Sequence, residues 1–321
     1  MKVFLTGGTG FIGLALAARW VADGADVIAT AASLPPVWAQ NALPGVRFKV
    51  VDVCDGEALK TAVVAACPDI LVHCAALTPD ETRERAGGTA AIFDVNVGGT
   101  ANAVEAAAHA GVRRVVAFSS GSAYGRSLDE VAFLDEITTD CRPTALYAIS
   151  KLAAEKTALR LGALHGLSVV TPRLSAAWGP WEYRTSMRQT LSPGYQIIES
   201  VIAGETPVIP PDAKTPLVFS EDAAAMITRL AASSAEGPVN IGSAEMVDLN
   251  ELADQAIAVA QARGFTVGSV GRDVTIYTPK RPPMALGQLT AAIGDWPIAS
   301  QTEALTRCLD WHSSLEEPRP F

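Results

Sequence analysis

Tyr147-Ala148-Ile149-Ser150-Lys151 sets a phenol and an ammonium four residues apart, a spacing that puts both on one face of a helix. A free tyrosine titrates near 10 and is a poor base at neutral pH. An ammonium ~4 Å away is worth about 4 kcal/mol at an effective dielectric near 20, enough to lower the phenol by about three units before desolvation takes some back. Such a tyrosine takes a proton from a carbinol on oxidation and returns it on reduction. Ser119-Ser120 ends the preceding strand pattern, and Ser120 is the candidate for holding the substrate oxygen, with Ser122 close behind. The bland alternative is a core tyrosine beside a lysine whose stem is buried. With 5 tyrosines in 321 residues, chance yields a Tyr-x-x-x-Lys only about 0.1 times, so position must decide.

A second chemical feature is the run Thr6-Gly7-Gly8-Thr9-Gly10-Phe11-Ile12-Gly13, between a strand pattern and a helix pattern. Glycines at Gly7, Gly10 and Gly13 let the chain turn tightly and approach a pyrophosphate. The helix that starts at Phe11 and Ile12 then offers free N–H groups and a positive dipole end to that anion. Asp52 and Val53 close the third strand pattern and suit an adenine, the acid accepting from its amino group and the valine packing on the ring. Asp55 suits the next helix as an N-cap. His73-Cys74-Ala75-Ala76 ends strand four with small residues at Ala75 and Ala76, as where backbone passes beside a ligand; His73 itself reads as structural.

The elements that must position these groups alternate. Strand patterns fall at 2–6, 26–30, 47–51, 69–74, 113–119 and 167–174, with helical patterns at 11–22, 56–66, 89–110 and 144–164 between them. Apolar strands with little alternation require a sheet buried on both faces, and the β-α-β-α succession predicts a parallel sheet. The expected fold is therefore α/β: a Rossmann-type doubly wound parallel sheet with a smaller C-terminal substrate-binding lobe. Residues 1–174 are read as the dinucleotide-binding domain. Residues 175–321 are read mainly as the substrate lobe, some segments returning to the sheet. Helices are expected near 195–203 and over 221–232, 249–263 and 301–312, with a strand at 239–242.

Composition narrows the classes. The chain carries 25 Lys+Arg against 34 Asp+Glu, a net charge of −9, which lacks the footprint of a nucleic-acid binder. Hydrophobic residues at 49% exclude a disordered chain. The 5 cysteines include no Cys-x-x-Cys, and the 4 histidines no His-x-x-x-His, so no metal site is expected. Without a secretory pattern or a long apolar span, a cytoplasmic protein is expected, with no membrane partner.

Taken together these motifs resemble the extended short-chain dehydrogenase/reductase family, of the NAD-dependent epimerase/dehydratase type. The resemblance runs from the glycine turn through Asp52, His73–Ala76, Asn96-Val97-Gly98-Gly99-Thr100, Ser120, Tyr124-Gly125 and Tyr147/Lys151 to Pro172-Arg173, Gly179-Pro180 and Asn240-Ile241-Gly242. It implies a dinucleotide cofactor, with Tyr147 and Lys151 also touching it. Lys151 would hold the nicotinamide ribose, Pro172 and Arg173 would lie near the nicotinamide, and Asn96 close to the cofactor. It also implies a homodimer built on the helices over 89–110 and 144–164.

Departures matter as much. Strand two ends in Thr30-Ala31-Ala32-Ser33, with neither the acid that would bind an adenosine ribose diol nor a cation for a 2′-phosphate. The lack of any cation between Trp20 and Arg47 tilts the expectation to NAD over NADP. Arg173-Leu174-Ser175-Ala176 lacks the asparagine usual in nucleotide-sugar epimerases, which weakens a nucleotide diphosphate substrate. Ser120-Gly121-Ser122 lacks the acid used by sugar-nucleotide dehydratases. Candidates for binding a polar substrate, anionic or neutral, are Ser122, Arg126, Trp178, Arg184, Arg188 and Arg281. The expected activity is NAD(P)-dependent oxidation or reduction of a secondary alcohol on a sugar or sugar acid. An epimerase using transient oxidation is the near alternative, and a non-catalytic dinucleotide sensor the distant one.

Overall fold

A computed structural model describes residues 1–78, 84–85, 87–185, 190–267 and 281–315. The first half runs β1 (Lys2–Thr6), α1 (Phe11–Ala22), β2 (Asp26–Ala31), α2 (Val37–Ala42), β3 (Val46–Val50), α3 (Gly56–Ala66) and β4 (Ile70–His73). Then come α4 (Ala90–Phe93), a π-helical turn (Asp94–Gly98), α5 (Gly99–His109), β5 (Arg114–Ala117), β6 (Ser119–Ser120), α6 (Leu146–His165) and β7 (Ser168–Leu174). The remainder is β8 (Ala177–Trp178), α7 (Pro193–Ile202), β9 (Lys214–Thr215), β10 (Val218–Phe219), α8 (Ser220–Ala232), β11 (Gly237–Ile241), β12 (Val247–Asp248), α9 (Leu249–Gln261), α10 (Gly287–Ile293) and α11 (Gln301–Ser313).

The main sheet has the order β11-β7-β5-β4-β1-β2-β3, with β6 also on β7, and every pair is parallel. Along β1 successive residues enter opposite cores: Val3 and Leu5 join the one under α1 and α8, Phe4 the one under α3, α5 and α6. All three are fully buried, which is why the strand reads as an unbroken apolar run. The doubly wound Rossmann-type architecture expected from the alternation is what the chain adopts.

The second lobe has its own core, in which Ile198 and Val201 of α7, Leu252 and Ala256 of α9 and Leu305 and Leu309 of α11 meet. Two small ribbons accompany it, β8 with β10 in parallel and β9 with β12 antiparallel. α8 and β11 return to the main sheet.

Three local details differ from the pattern reading. The helix expected over 89–110 is interrupted by the π turn, within which Asn96 is buried. α2 and α10 carried too few periodic positions to stand out, and α2 follows Pro35-Pro36, with Pro36 as its N-cap. Among the described residues no cluster of three or more metal-ligating side chains occurs, and no helix is long and apolar enough to cross a membrane.

Candidate active site

Chain order in the sheet reverses between β1 and β4, which opens a crevice at their C-terminal ends. A cavity of about 330 Å³ lies there, lined by the glycine turn on one side and by Ser120, Tyr147 and Lys151 on the other.

The glycines are required by contact. A Cβ on Gly7 would sit 2.4 Å from the Ala75 nitrogen, and one on Gly13 would sit 2.2 Å from the Gly7 carbonyl oxygen. Gly7 also has φ +68°, in the left-handed region. α1 begins after Gly10 with no side-chain cap and no acid in its first turn, leaving its positive end to a ligand. The cradle and the uncapped helix end fit a dinucleotide pyrophosphate. Gly7, Gly10, Phe11, Ile12 and Gly13 would hold it, and Ala76 lines the same wall.

On the opposite wall, Lys151 is 2% exposed and donates to the Phe118 carbonyl oxygen at 2.5 Å. Burial lowers its pKa to about 8, with Cys74 and Glu155 acting in the other sense. Tyr147 is half-buried one turn before it, and its backbone N–H donates to Glu84 at 3.4 Å. The Ser120 hydroxyl accepts from the Ser122 N–H at 3.1 Å, which fixes its rotamer at the start of a short 3-10 turn. His73 is walled in: its Nδ1 shares a 2.7 Å bond with the Thr6 hydroxyl. Burial, then the Lys151 charge, drives its pKa to about 3, so the ring is neutral. Beside it, burial pushes the Cys74 thiol up to about 12, against the Lys151 charge.

Several sequence candidates stand behind the wall instead of in it. Asn96 binds both backbone groups of Leu77, accepting at 2.7 Å and donating at 3.0 Å, and donates to Ser150 at 2.9 Å. It thereby clamps the loop after β4 to α6. Arg173 forms a two-pronged buried bond to Glu155 at 2.9 and 2.8 Å and lies 4.8 Å over the Tyr124 ring. It braces α6 from beneath and, with Pro172 next to it, does not line the cavity. Asp52 caps a turn through the Cys54 N–H at 2.9 Å, and Val53 packs on Gly99; neither lines the cavity.

Among the substrate candidates, Trp178 is a correction: it packs on Phe219 with ring centres 5.5 Å apart and closes over Gly194, so it belongs to the lobe core. Arg184 is paired with Glu199 through both carboxylate oxygens. Arg126 is exposed, and Ser122 and Arg281 are partly buried, none of them on the cavity wall. Arg188 lies outside the described residues. The cavity wall instead includes Tyr183, Leu191, Ser192 and Pro193 from the second lobe. Leu191, Ser192 and Pro193 carry no chemical mark in the sequence, because they face the crevice only once the lobe folds over.

Residues 3–242 match the NAD dependent epimerase/dehydratase family. The chain belongs to that family, a class of extended short-chain dehydrogenase/reductase enzymes. It is similar to a 3-beta-hydroxysteroid dehydrogenase of Mycolicibacterium neoaurum, 31% identical over 216 residues, which are 65% of this chain and 54% of that one. The chain thus spans about half the length of the curated relatives it matches. Among solved structures, UDP-glucose 4-epimerase of Thermotoga maritima with UDP-glucose superposes with a TM-score of 0.82 at 21% identity, covering 99% of this chain and 100% of that one. The Bordetella bronchiseptica enzyme WbmH in complex with NAD+ gives a TM-score of 0.78 at 21% identity, with 98% of each chain covered. These two likenesses are of fold.

Proposed function

We propose that this chain is an NAD-linked enzyme that oxidises, at least transiently, a secondary alcohol on a sugar or a sugar nucleotide. The observation that carries this reading is a single cavity walled both by the glycine turn and by Ser120, Tyr147 and Lys151. A nicotinamide bound there supplies the hydride acceptor. Tyr147 takes the hydroxyl proton as general base and returns it as general acid. Ser120 hydrogen-bonds the reacting oxygen and keeps it against the tyrosine. Lys151, a cation in a dry site, favours the phenolate form of Tyr147 and offers its N–H groups to the ribose.

Among the described residues of the cavity wall there is no Asp or Glu, so none of these residues offers a carboxylic acid for water elimination, while Glu84 meets the Tyr147 backbone N–H outside that wall. That favours oxidation or epimerisation over dehydration. Lys151 is also the one Lys or Arg among the described residues of that wall. The reacting part of the substrate is accordingly taken to be neutral, with any phosphate outside this wall.

The test is a substrate panel of UDP-glucose, UDP-glucuronate, dTDP-glucose and a 3β-hydroxysteroid, read by product NMR and by absorbance at 340 nm. Net reduced cofactor supports a dehydrogenase, and an epimer without net reduction supports an epimerase. Tyr147→Phe slows turnover of the active substrate by about 10²–10⁴-fold while cofactor still binds. Unchanged turnover in that variant overturns the reading.

A further inference from the structure

The second lobe makes a polar contact with the glycine turn. Tyr183 donates its hydroxyl to the Thr9 carbonyl oxygen at 2.6 Å, across 174 residues of sequence. The same side chain lines the cavity together with Gly7, Gly10 and Gly13. Its ring is seated edge-on against Trp38 of α2, centres 5.4 Å apart. Trp38 stacks on Trp181 at 6.3 Å, and Trp311 of α11 closes on both at 6.0 and 5.4 Å. An aromatic box drawn from both lobes therefore encloses the segment that carries Tyr183.

That segment is held firmly. Trp181 has φ +73°, a conformation that strains a bulky side chain and persists only where the surroundings fix it. Glu182 is fully buried and accepts from both the N–H and the hydroxyl of Ser192, each at 2.7 Å. On the other side Arg184 grips Glu199. With its neighbours tied at both flanks, Tyr183 has little freedom to swing off the turn.

We propose that Tyr183 is a positioning residue that bolts the second lobe over the glycine turn and keeps a bound dinucleotide from leaving between turnovers. This rests on the NAD-linked reading above and deepens it by naming the contact that holds the two walls of the cofactor cavity together. Burial raises the Tyr183 hydroxyl to about 12, so it remains a donor throughout the working pH range.

The experiment loads the protein with NADH, chases with excess NAD+, and follows loss of bound-NADH fluorescence; no substrate is needed. Tyr183→Phe, which keeps the ring in its box, releases NADH about fivefold faster than the native chain, the scale of one neutral hydrogen bond. Tyr183→Ala releases it more than about tenfold faster, since the ring contact goes as well. Both variants also need more added NAD+ than the native chain for half-maximal turnover. Thermal melting of the unloaded proteins checks folding, and Tyr183→Phe alone decides if Tyr183→Ala does not fold. A Tyr183→Phe release rate equal to native overturns the bolt and leaves the catalytic reading intact. Failure of the native chain to bind either NADH or NADPH overturns both.

Discussion

Replacing Glu155 by Leu tests the brace beneath α6, the helix that carries Tyr147 and Lys151. The Glu155 side chain is 0% exposed and that of Arg173 3%, and the two share bonds of 2.9 and 2.8 Å. Burial alone would raise the Glu155 carboxyl, but the Arg173 hydrogen bonds and charge outweigh that and hold it below the usual carboxylate range. At ~3 Å and an effective dielectric near 20 the gross attraction is about 6 kcal/mol. Most of it offsets desolvation, so the quantity that matters is what removal leaves behind: a buried guanidinium without its counter-charge, destabilising by about 3–5 kcal/mol. At roughly 2 °C per kcal/mol for a chain of this size, melting falls by about 6–10 °C. The double variant Glu155→Leu/Arg173→Met removes both charges and recovers most of that loss, short of about 1 kcal/mol for the guanidinium over Tyr124. Differential scanning fluorimetry at pH 7 reads both. A drop under about 2 °C in the single variant, or a double variant worse than the single, would refute the uncompensated-charge argument. Glu155 also raises the Lys151 pKa. Its removal therefore shifts the alkaline limb of the activity profile to lower pH.

Other outcomes follow from the same site. Tyr147→Phe lowers kcat by about 10²–10⁴-fold with near-native cofactor affinity, measured by single-turnover kinetics and equilibrium dialysis. Gly13→Ala drives a methyl into the Gly7 carbonyl, so isothermal titration should show dinucleotide binding lost or weakened at least tenfold together with a lower melting temperature. His73 has a folded pKa near 3 against 6.5 unfolded. The unfolded chain thus binds the extra proton first as pH falls below 6.5, and stability drops by up to about 1.4 kcal/mol per pH unit down to about 3. Urea midpoints across pH 4–7 should show this slope, and His73→Gln should flatten it. Lys151 runs the same way in a higher window: with a folded pKa near 8 against 10.5, its destabilising effect is full below 8 and fades as pH rises through 8–10.5. Lys151→Met should raise the melting temperature at pH 7 while abolishing turnover.

The sheet was legible because each of its early strands is a short apolar run between helical patterns, and burial on both faces demands that composition. The glycine turn was legible because Gly7 and Gly13 answer to backbone atoms a few residues away or one strand over. Tyr147 and Lys151 were legible because a helix converts sequence spacing directly into a shared face. Asn96 and Arg173 were located but not understood: one is buried within a π turn, and a carboxylate 18 residues earlier claims the other, and neither event has a local signal. The lobe side of the cavity was hidden for the same reason. Tyr183 meets Thr9 only through long-range packing of four aromatic residues drawn from three parts of the chain. The arginines Arg126 and Arg184 attracted notice by charge, yet charge alone does not tell an anion site from a surface ion pair.

The central claim is that the crevice over β1 and β4 seats a nicotinamide against Tyr147. A crystal structure of the Tyr147→Phe variant with NAD+ and the active substrate tests it most directly. The nicotinamide C4 should lie about 3–3.5 Å from the carbinol carbon, with the substrate oxygen within ~3.2 Å of Ser120 and facing the ring at position 147. A dinucleotide bound away from the glycine turn, or a nicotinamide with no room for an alcohol between it and Ser120, would contradict the account.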